Sequence, residues 1–227
     1  MSCHGVLLDL DGTLLDTAPD LAGALNDLRR DRGMAPLPLA ALRHTASMGG
    51  RGMLARGLGL TPDDRDYSDA YTNFLTCYRE RLTDTVQPFP GIRAALAEIA
   101  AAGHAWGVVT NKMLALAEPL MTAMAFSPPP ACVIGGDSAP RAKPHPDPLL
   151  LACEQLGLAP ADCVYVGDSD RDIAAGRAAG MPTIGVLYGY FDGDEDVAGW
   201  GADQLITQAS ELPAAVAKLL PTPEPHV

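Results

Sequence analysis

Four short polar stretches carry most of the residues in this chain that can act together chemically. They are Asp9-Leu10-Asp11-Gly12-Thr13, Thr110-Asn111-Lys112, Lys143-Pro144 and Gly167-Asp168-Ser169-Asp170-Arg171-Asp172. If Asp9, Asp11, Asp168 and Asp172 share one pocket, their carboxylates repel unless a cation or raised pKa values relieve them. A hard divalent ion with oxygen ligands is the natural partner, and magnesium suits a site that also takes waters and a phosphate oxygen. Lys143 adds one fixed positive charge and Thr110 a hydroxyl donor. Together these parts spread charge over the equatorial oxygens of a transferring phosphoryl group, with a carboxylate placed to attack.

Each part also has a plainer reading. D-x-D-G-T alone is compatible with a turn, and Thr110 with an ordinary β-branched strand residue. Asp170 and Asp172 suit a helix N-terminus electrostatically, and most lysines, Lys143 included, are solvated by default. Lys112 reads as peripheral, and Arg51, between glycines in Ser47-Met48-Gly49-Gly50-Arg51-Gly52, as either a substrate clamp or a solvated arginine. His44, His104 and His145 show no metal-ligand spacing and read as structural or surface residues.

The elements that must position these residues follow from the hydrophobic pattern. Gly5–Leu8 is a short apolar run ending at Asp9, Ala105–Val109 ends at Thr110, and Cys163–Val166 ends at Gly167-Asp168. Cys132–Ile134 and Thr183–Val186 complete five predicted strands. Between them lie helical stripes: Ile92, Ala95, Leu96 and Ile99; a Leu- and Met-rich helix with Pro119 as a kink; and Leu149, Ala152, Cys153 and Leu156. A small-residue helix to Ala179 and a last helix near 210–220 follow. Strands alternating with helices predict an α/β parallel sheet covered on both faces, whose ligands bind at the carboxyl ends of the strands. The stretch 17–85 is helix-like throughout and interrupts this alternation, so it reads as an inserted helical lid on a core of 1–16 and 86–220. The proline-bearing tail 221–227 reads as frayed.

Composition narrows the partners. The net charge is −12, which disfavours nucleic acid and anionic membrane surfaces. An anionic substrate then needs a metal or a few placed cations, and Lys112, Lys143 and Lys218 are the only lysines. Five scattered cysteines (Cys3, Cys77, Cys132, Cys153 and Cys163) with no CxxC pair predict reduced thiols in a cytoplasmic protein. No secretory leader or membrane span is read, and monomer and homodimer stay open.

The order of the parts resembles the haloacid dehalogenase superfamily, in its phosphoglycolate-phosphatase-like branch. The likeness rests on Asp9-x-Asp11-Gly12-Thr13-Leu14, Thr110, Lys143-Pro144 and Gly167-Asp168-Ser169-x-x-Asp172. The stretches Asp16–Asp20, Val108–Lys112, Gly135–Asp137, Pro148–Ala152 and Tyr188–Tyr190 extend it over nearly the whole chain. The resemblance implies a Rossmann-like core with a cap at 17–85, and Asp9 as a nucleophile that becomes an aspartyl phosphate. It implies that Asp11 protonates the leaving oxygen and later activates water, while Thr110 and Lys143, with Asn111 beside them, hold the phosphoryl group. It implies magnesium held by Asp9, the Asp11 backbone carbonyl and Asp168, with Asp172 in support.

The implied partner is a small carboxylate-bearing phosphate ester, 2-phosphoglycolate first and N-acetylmuramic acid 6-phosphate as the alternative, with Arg51 as the carboxylate clamp. Trp106–Lys112 and Trp200–Asp203 look like the second group. A sugar phosphomutase needs the same core. A passive phosphoacceptor domain has no use for an acid at Asp11, and a phosphonate-cleaving relative needs a cap lysine, which the segment before Val109 lacks.

Overall fold

Gly5–Leu8 (β1) is buried along its whole length, because apolar side chains leave it on both faces. The computed structural model describes residues 4–190 and 196–220; the predicted tail 221–227 and Cys3 lie outside the described residues. Leu15–Asp16 (β2) and Gln87–Pro88 (β3) form a small antiparallel pair. Ala105–Val109 (β4), Val133–Ile134 (β5), Cys163–Gly167 (β6), Thr183–Val186 (β7) and Gln204–Ile206 (β8) join β1 in one parallel sheet, ordered β5-β4-β1-β6-β7-β8.

Register sets the site. Leu8 lies opposite Val108 on one side and Val166 on the other, so the chain leaves the sheet at Asp9, Thr110 and Asp168 along one edge. Val6 and Leu8 face one core and Leu7 the other, as the two-residue period of a strand requires. The first core also takes side chains from the helices Ile92–Ala101, Leu114–Met124 and Leu212–Leu219; the second takes them from Asp147–Leu156 and Asp170–Ala179. The predicted α/β sheet covered on both faces is therefore observed. The Leu114–Met124 helix runs through Pro119. The strand Gln204–Ile206 and the pair β2–β3 were not legible: each is two or three residues long and too short for any periodicity. Cys77, Cys132, Cys153 and Cys163 are free thiols, and among the described residues no helix is long and apolar enough to cross a membrane.

Between β2 and β3 the chain forms the helices Ala18–Asp31 (α1), Gly49–Leu58 (α2) and Tyr67–Arg81 (α3). Leu21, Leu25, Met53, Leu54, Phe74 and Tyr78 pack them together, continuous with the first core. Two polar groups tie this insertion where it leaves and returns. Asp20, 2% exposed, accepts from the Thr85 and Val86 backbone N–H groups (3.1 and 3.0 Å) and from the Thr85 hydroxyl. The Tyr190 hydroxyl accepts from the N–H groups of Thr17 (2.6 Å) and Ala18 (2.9 Å) and donates to Asp16 (2.9 Å). A tyrosine distant in sequence thus satisfies donors at the start of α1 that no local side chain caps.

Asp20→Ala removes the shared acceptor of the Thr85 N–H and hydroxyl and of the buried Val86 N–H. We expect a loss of about 2–3 kcal/mol in chemical denaturation. A loss below about 0.5 kcal/mol, the range of an ordinary surface substitution, would mean that this tie does not hold the insertion.

Candidate active site

Asp9, Asp168 and Asp172 converge at the carboxyl edge of the sheet, with one carboxylate oxygen of each within 4.8 Å of the others. Each arrives by a different local rule. Asp9 follows the last residue of β1 and donates its backbone N–H to the Val166 carbonyl (2.9 Å). Asp168 follows β6. Asp172 is the third residue of the Asp170–Ala179 helix and reaches back to the Ser169 N–H (3.2 Å) and hydroxyl (2.6 Å), half of a capping box. Gly12, at φ +87°, and Gly189 make room: a Cβ on Gly12 would meet Asp168 Oδ2 at 2.0 Å, and one on Gly189 would meet Asp168 Cβ at 2.5 Å.

Lys143 is the cation beneath them, its side chain 2% exposed. Its ammonium donates to Asp172 (2.7 Å), the Tyr165 hydroxyl (2.7 Å) and the Val109 carbonyl (3.1 Å). It also stands 2.9 Å from Asp9 Oδ1, without hydrogen-bond alignment, so that buried oxygen has no donor. Asn111 spends both ends of its amide on the Lys143 backbone, at 2.9 Å each. Thr110 is buried at the end of β4, and its hydroxyl accepts from the Lys112 N–H (3.1 Å).

The electrostatics follow. Burial, opposed by Lys143 but reinforced by Asp172 and Asp11, pushes the Asp9 carboxyl up to about 6. Burial, then Asp172 and Asp9, raises Asp168 well above the carboxylate range. Burial alone would lower the Lys143 pKa, but Asp172 and Asp9 outweigh it and keep the ammonium charged. Three carboxylates against one ammonium leave an excess of two negative charges when all are ionised. A divalent cation matches that excess. The residues therefore fit a hard divalent metal. The Asp11 side chain is outside this cluster.

Asp11 turns instead to Lys112, whose ammonium is 3.0 Å from both of its oxygens, and it accepts from the Thr17 hydroxyl. This corrects the reading of Lys112 as peripheral. Its side chain is 6% exposed, and its ammonium lies 4.8 Å from the centroid of the Tyr78 ring. Sequence offered no warning, because a lysine after a strand end is usually solvated.

A cavity of ≈ 320 Å³ opens over the edge of the sheet. Asp9, Asp11, Thr110, Asn111 and Lys112 line it from below, and Arg51, Phe74 and Tyr78 from the insertion. Lys143, Asp168 and Asp172 lie beneath this wall and are buried. Arg51 is exposed at the rim. Arg171, which sequence reasoning passed over, also lines the cavity and donates to the Ser47 carbonyl (2.8 Å), joining core to insertion. Its signal was its place as the one base within an acidic motif. His145 is exposed and His44 and His104 are half-buried, and none lines the cavity.

Residues 6–186 match the family model described as haloacid dehalogenase-like hydrolase. A phosphoglycolate phosphatase of Xanthomonas campestris pv. campestris is 43% identical over 215 residues, spanning 93% of this chain and 96% of the relative. An N-acetylmuramic acid 6-phosphate phosphatase of Pseudomonas aeruginosa is 40% identical over 212 residues, spanning 93% and 94%. The crystal structure of CbbY from Rhodobacter sphaeroides in complex with phosphate superposes with a TM-score of 0.73 at 26% identity, covering 92% of this chain and 96% of that one. The chain belongs to the haloacid dehalogenase-like hydrolase family and is a phosphatase.

Proposed function

We propose that this phosphatase is a magnesium-dependent phosphomonoesterase that works through an aspartyl phosphate on Asp9, with 2-phosphoglycolate as its substrate. The observation that carries the reading is the cluster of Asp9, Asp168 and Asp172 over the buried Lys143, with Asp9 open to the cavity. Asp9, Asp168, Asp172 and the Asp11 carbonyl would hold magnesium, which when bound neutralises carboxylate charge and draws electron density from phosphoryl oxygens.

The chemistry assigned to the side chains balances in two steps. An Asp9 carboxylate oxygen attacks phosphorus, the bond to the ester oxygen breaks, and Asp11 gives its proton to the departing alkoxide. Water then attacks the phosphorus of the acyl phosphate, Asp11 takes the water proton, and the bond to Asp9 breaks to release inorganic phosphate. Thr110 donates to a phosphoryl oxygen. Lys143, held by Asn111, keeps the Asp9 side chain in an attacking position and offsets its charge. The inserted segment 17–85 serves as the cap that excludes water, with Arg51 gripping the substrate carboxylate from the rim. The enzyme works in the cytoplasm, in line with its free thiols.

Support for the substrate comes from the relative at 43% identity. One observation favours the second reading, N-acetylmuramic acid 6-phosphate: at ≈ 320 Å³ the cavity has room for about ten waters. Its walls also include apolar Leu21, Phe74, Leu75 and Leu116, as a larger alcohol would suit.

Three outcomes test this reading. Asp9→Asn keeps the shape but removes the nucleophile, and steady-state turnover should fall by about four orders of magnitude or more with the circular dichroism spectrum unchanged. Near-parental turnover would end the aspartyl-phosphate route. Chelation should abolish turnover of 2-phosphoglycolate and added magnesium restore it; full activity in excess chelator excludes the metal. Arg51→Ala should lose about 1.5–3 kcal/mol, roughly tenfold to a hundredfold in kcat/KM, on carboxylate-bearing esters and much less on a neutral alkyl phosphate. Equal losses on both would remove Arg51 as the clamp, and a parent enzyme preferring the muramic acid ester would install the second reading.

A further inference from the structure

Tyr78 is 1% exposed, lines the cavity, and its hydroxyl has no hydrogen-bond partner. That is unusual, because a buried tyrosine hydroxyl normally finds one. The other two fully buried tyrosines with hydroxyls near the site obey the rule: Tyr165 donates to the Val109 carbonyl (2.8 Å) and Tyr190 to Asp16 (2.9 Å). Beside Tyr78 stands Lys112, whose ammonium has three donors, at most two of which are taken by the two oxygens of Asp11. The cavity floor therefore holds the Tyr78 O–H, whose proton has no acceptor, beside the Lys112 ammonium that interacts with the same hydroxyl, next to the carboxylate assigned to the leaving oxygen.

We propose that Tyr78 and Lys112 form the subsite for an anionic oxygen of the leaving alcohol, and that it selects esters whose carboxylate sits on the carbon bearing the phosphate. This rests on the phosphomonoesterase reading above and deepens it. The argument is one of reach. Lys112 touches the same carboxylate, Asp11, that faces the ester oxygen, so its free N–H lies close to that oxygen. In a 2-phosphooxy carboxylate a single carbon separates the carboxylate from the ester oxygen, so it falls on this pair. In N-acetylmuramic acid 6-phosphate the carboxylate lies across the sugar ring from the phosphate and cannot reach the pair while phosphorus faces Asp9. Two donors to the two oxygens of one carboxylate are both charge-assisted bonds. Arg51, exposed at the rim of the same cavity, then closes on that same carboxylate from the solvent side.

The test is the preference for a carboxylate: kcat/KM on 2-phosphoglycolate divided by kcat/KM on ethyl phosphate, with magnesium present. Dividing cancels any general effect of Lys112 on Asp11. The parent should prefer 2-phosphoglycolate, and Tyr78→Phe and Lys112→Gln should each reduce that preference about tenfold or more. The melting temperature of Tyr78→Phe should change little, since the Tyr78 hydroxyl makes no aligned protein hydrogen bond. If Lys112→Gln does not fold, Tyr78→Phe carries the test alone. A parental preference that survives within about twofold in the folded variants overturns the subsite while leaving the substrate reading intact. A parent with no preference over ethyl phosphate overturns both.

Discussion

Lys143 is one ammonium buried among three carboxylates, and most of the architecture at the sheet edge answers to that arrangement. Taking these charges out of water costs several kcal/mol per ion unless each is paired and hydrogen-bonded. The fold meets the cost from several directions. Tyr165 and the Val109 carbonyl complete the shell of Lys143, Asn111 pins its backbone, and the capping box of the Asp170–Ala179 helix holds Asp172. Where the carboxylates press against neighbouring backbone, side chains vanish: Gly12 beside Asp168 and Gly167 beside Asp172 leave space that a Cβ would fill. Asp9 Oδ1 stands 2.9 Å from the Lys143 ammonium without an aligned donor. In the proposed function this is where the cation and the attacking carboxylate would work.

The inserted helices are mechanically joined to this charged floor. Tyr190 donates its backbone N–H to Asp168 (3.0 Å), while its hydroxyl binds the backbone at Thr17 and Ala18. Arg43 pairs with Asp16 at 2.8 Å and lies over the Tyr190 ring, and Arg171 holds the Ser47 carbonyl. One residue, Tyr190, thus bonds to both the start of the inserted helices and Asp168. The antiparallel pair β2–β3 brings the two crossings together, so that α1, α2 and α3 hang from a single short ribbon.

The core machinery was legible in the sequence. Short apolar runs that end in Asp9, Thr110 and Asp168 identify strands and their carboxyl ends together, because burial on both faces demands such runs and parallel strands deliver their next residues to one edge. The acidic excess at that edge calls for a compensating charge by simple repulsion, and the structure gathers Asp9, Asp168 and Asp172 into a cluster that could hold one. What tertiary structure alone decided was which polar groups are left over. Ala70, Phe74 and Tyr78 repeat at helical spacing like any buried stripe, and nothing in that spacing tells that one hydroxyl ends in a cavity without a partner. Lys112 looked like a solvated lysine until the insertion covered it and Asp11 became its counter-ion. Periodicity determines which face of an element is buried; the partner of a buried charge depends on segments a hundred residues apart, and only packing brings those together.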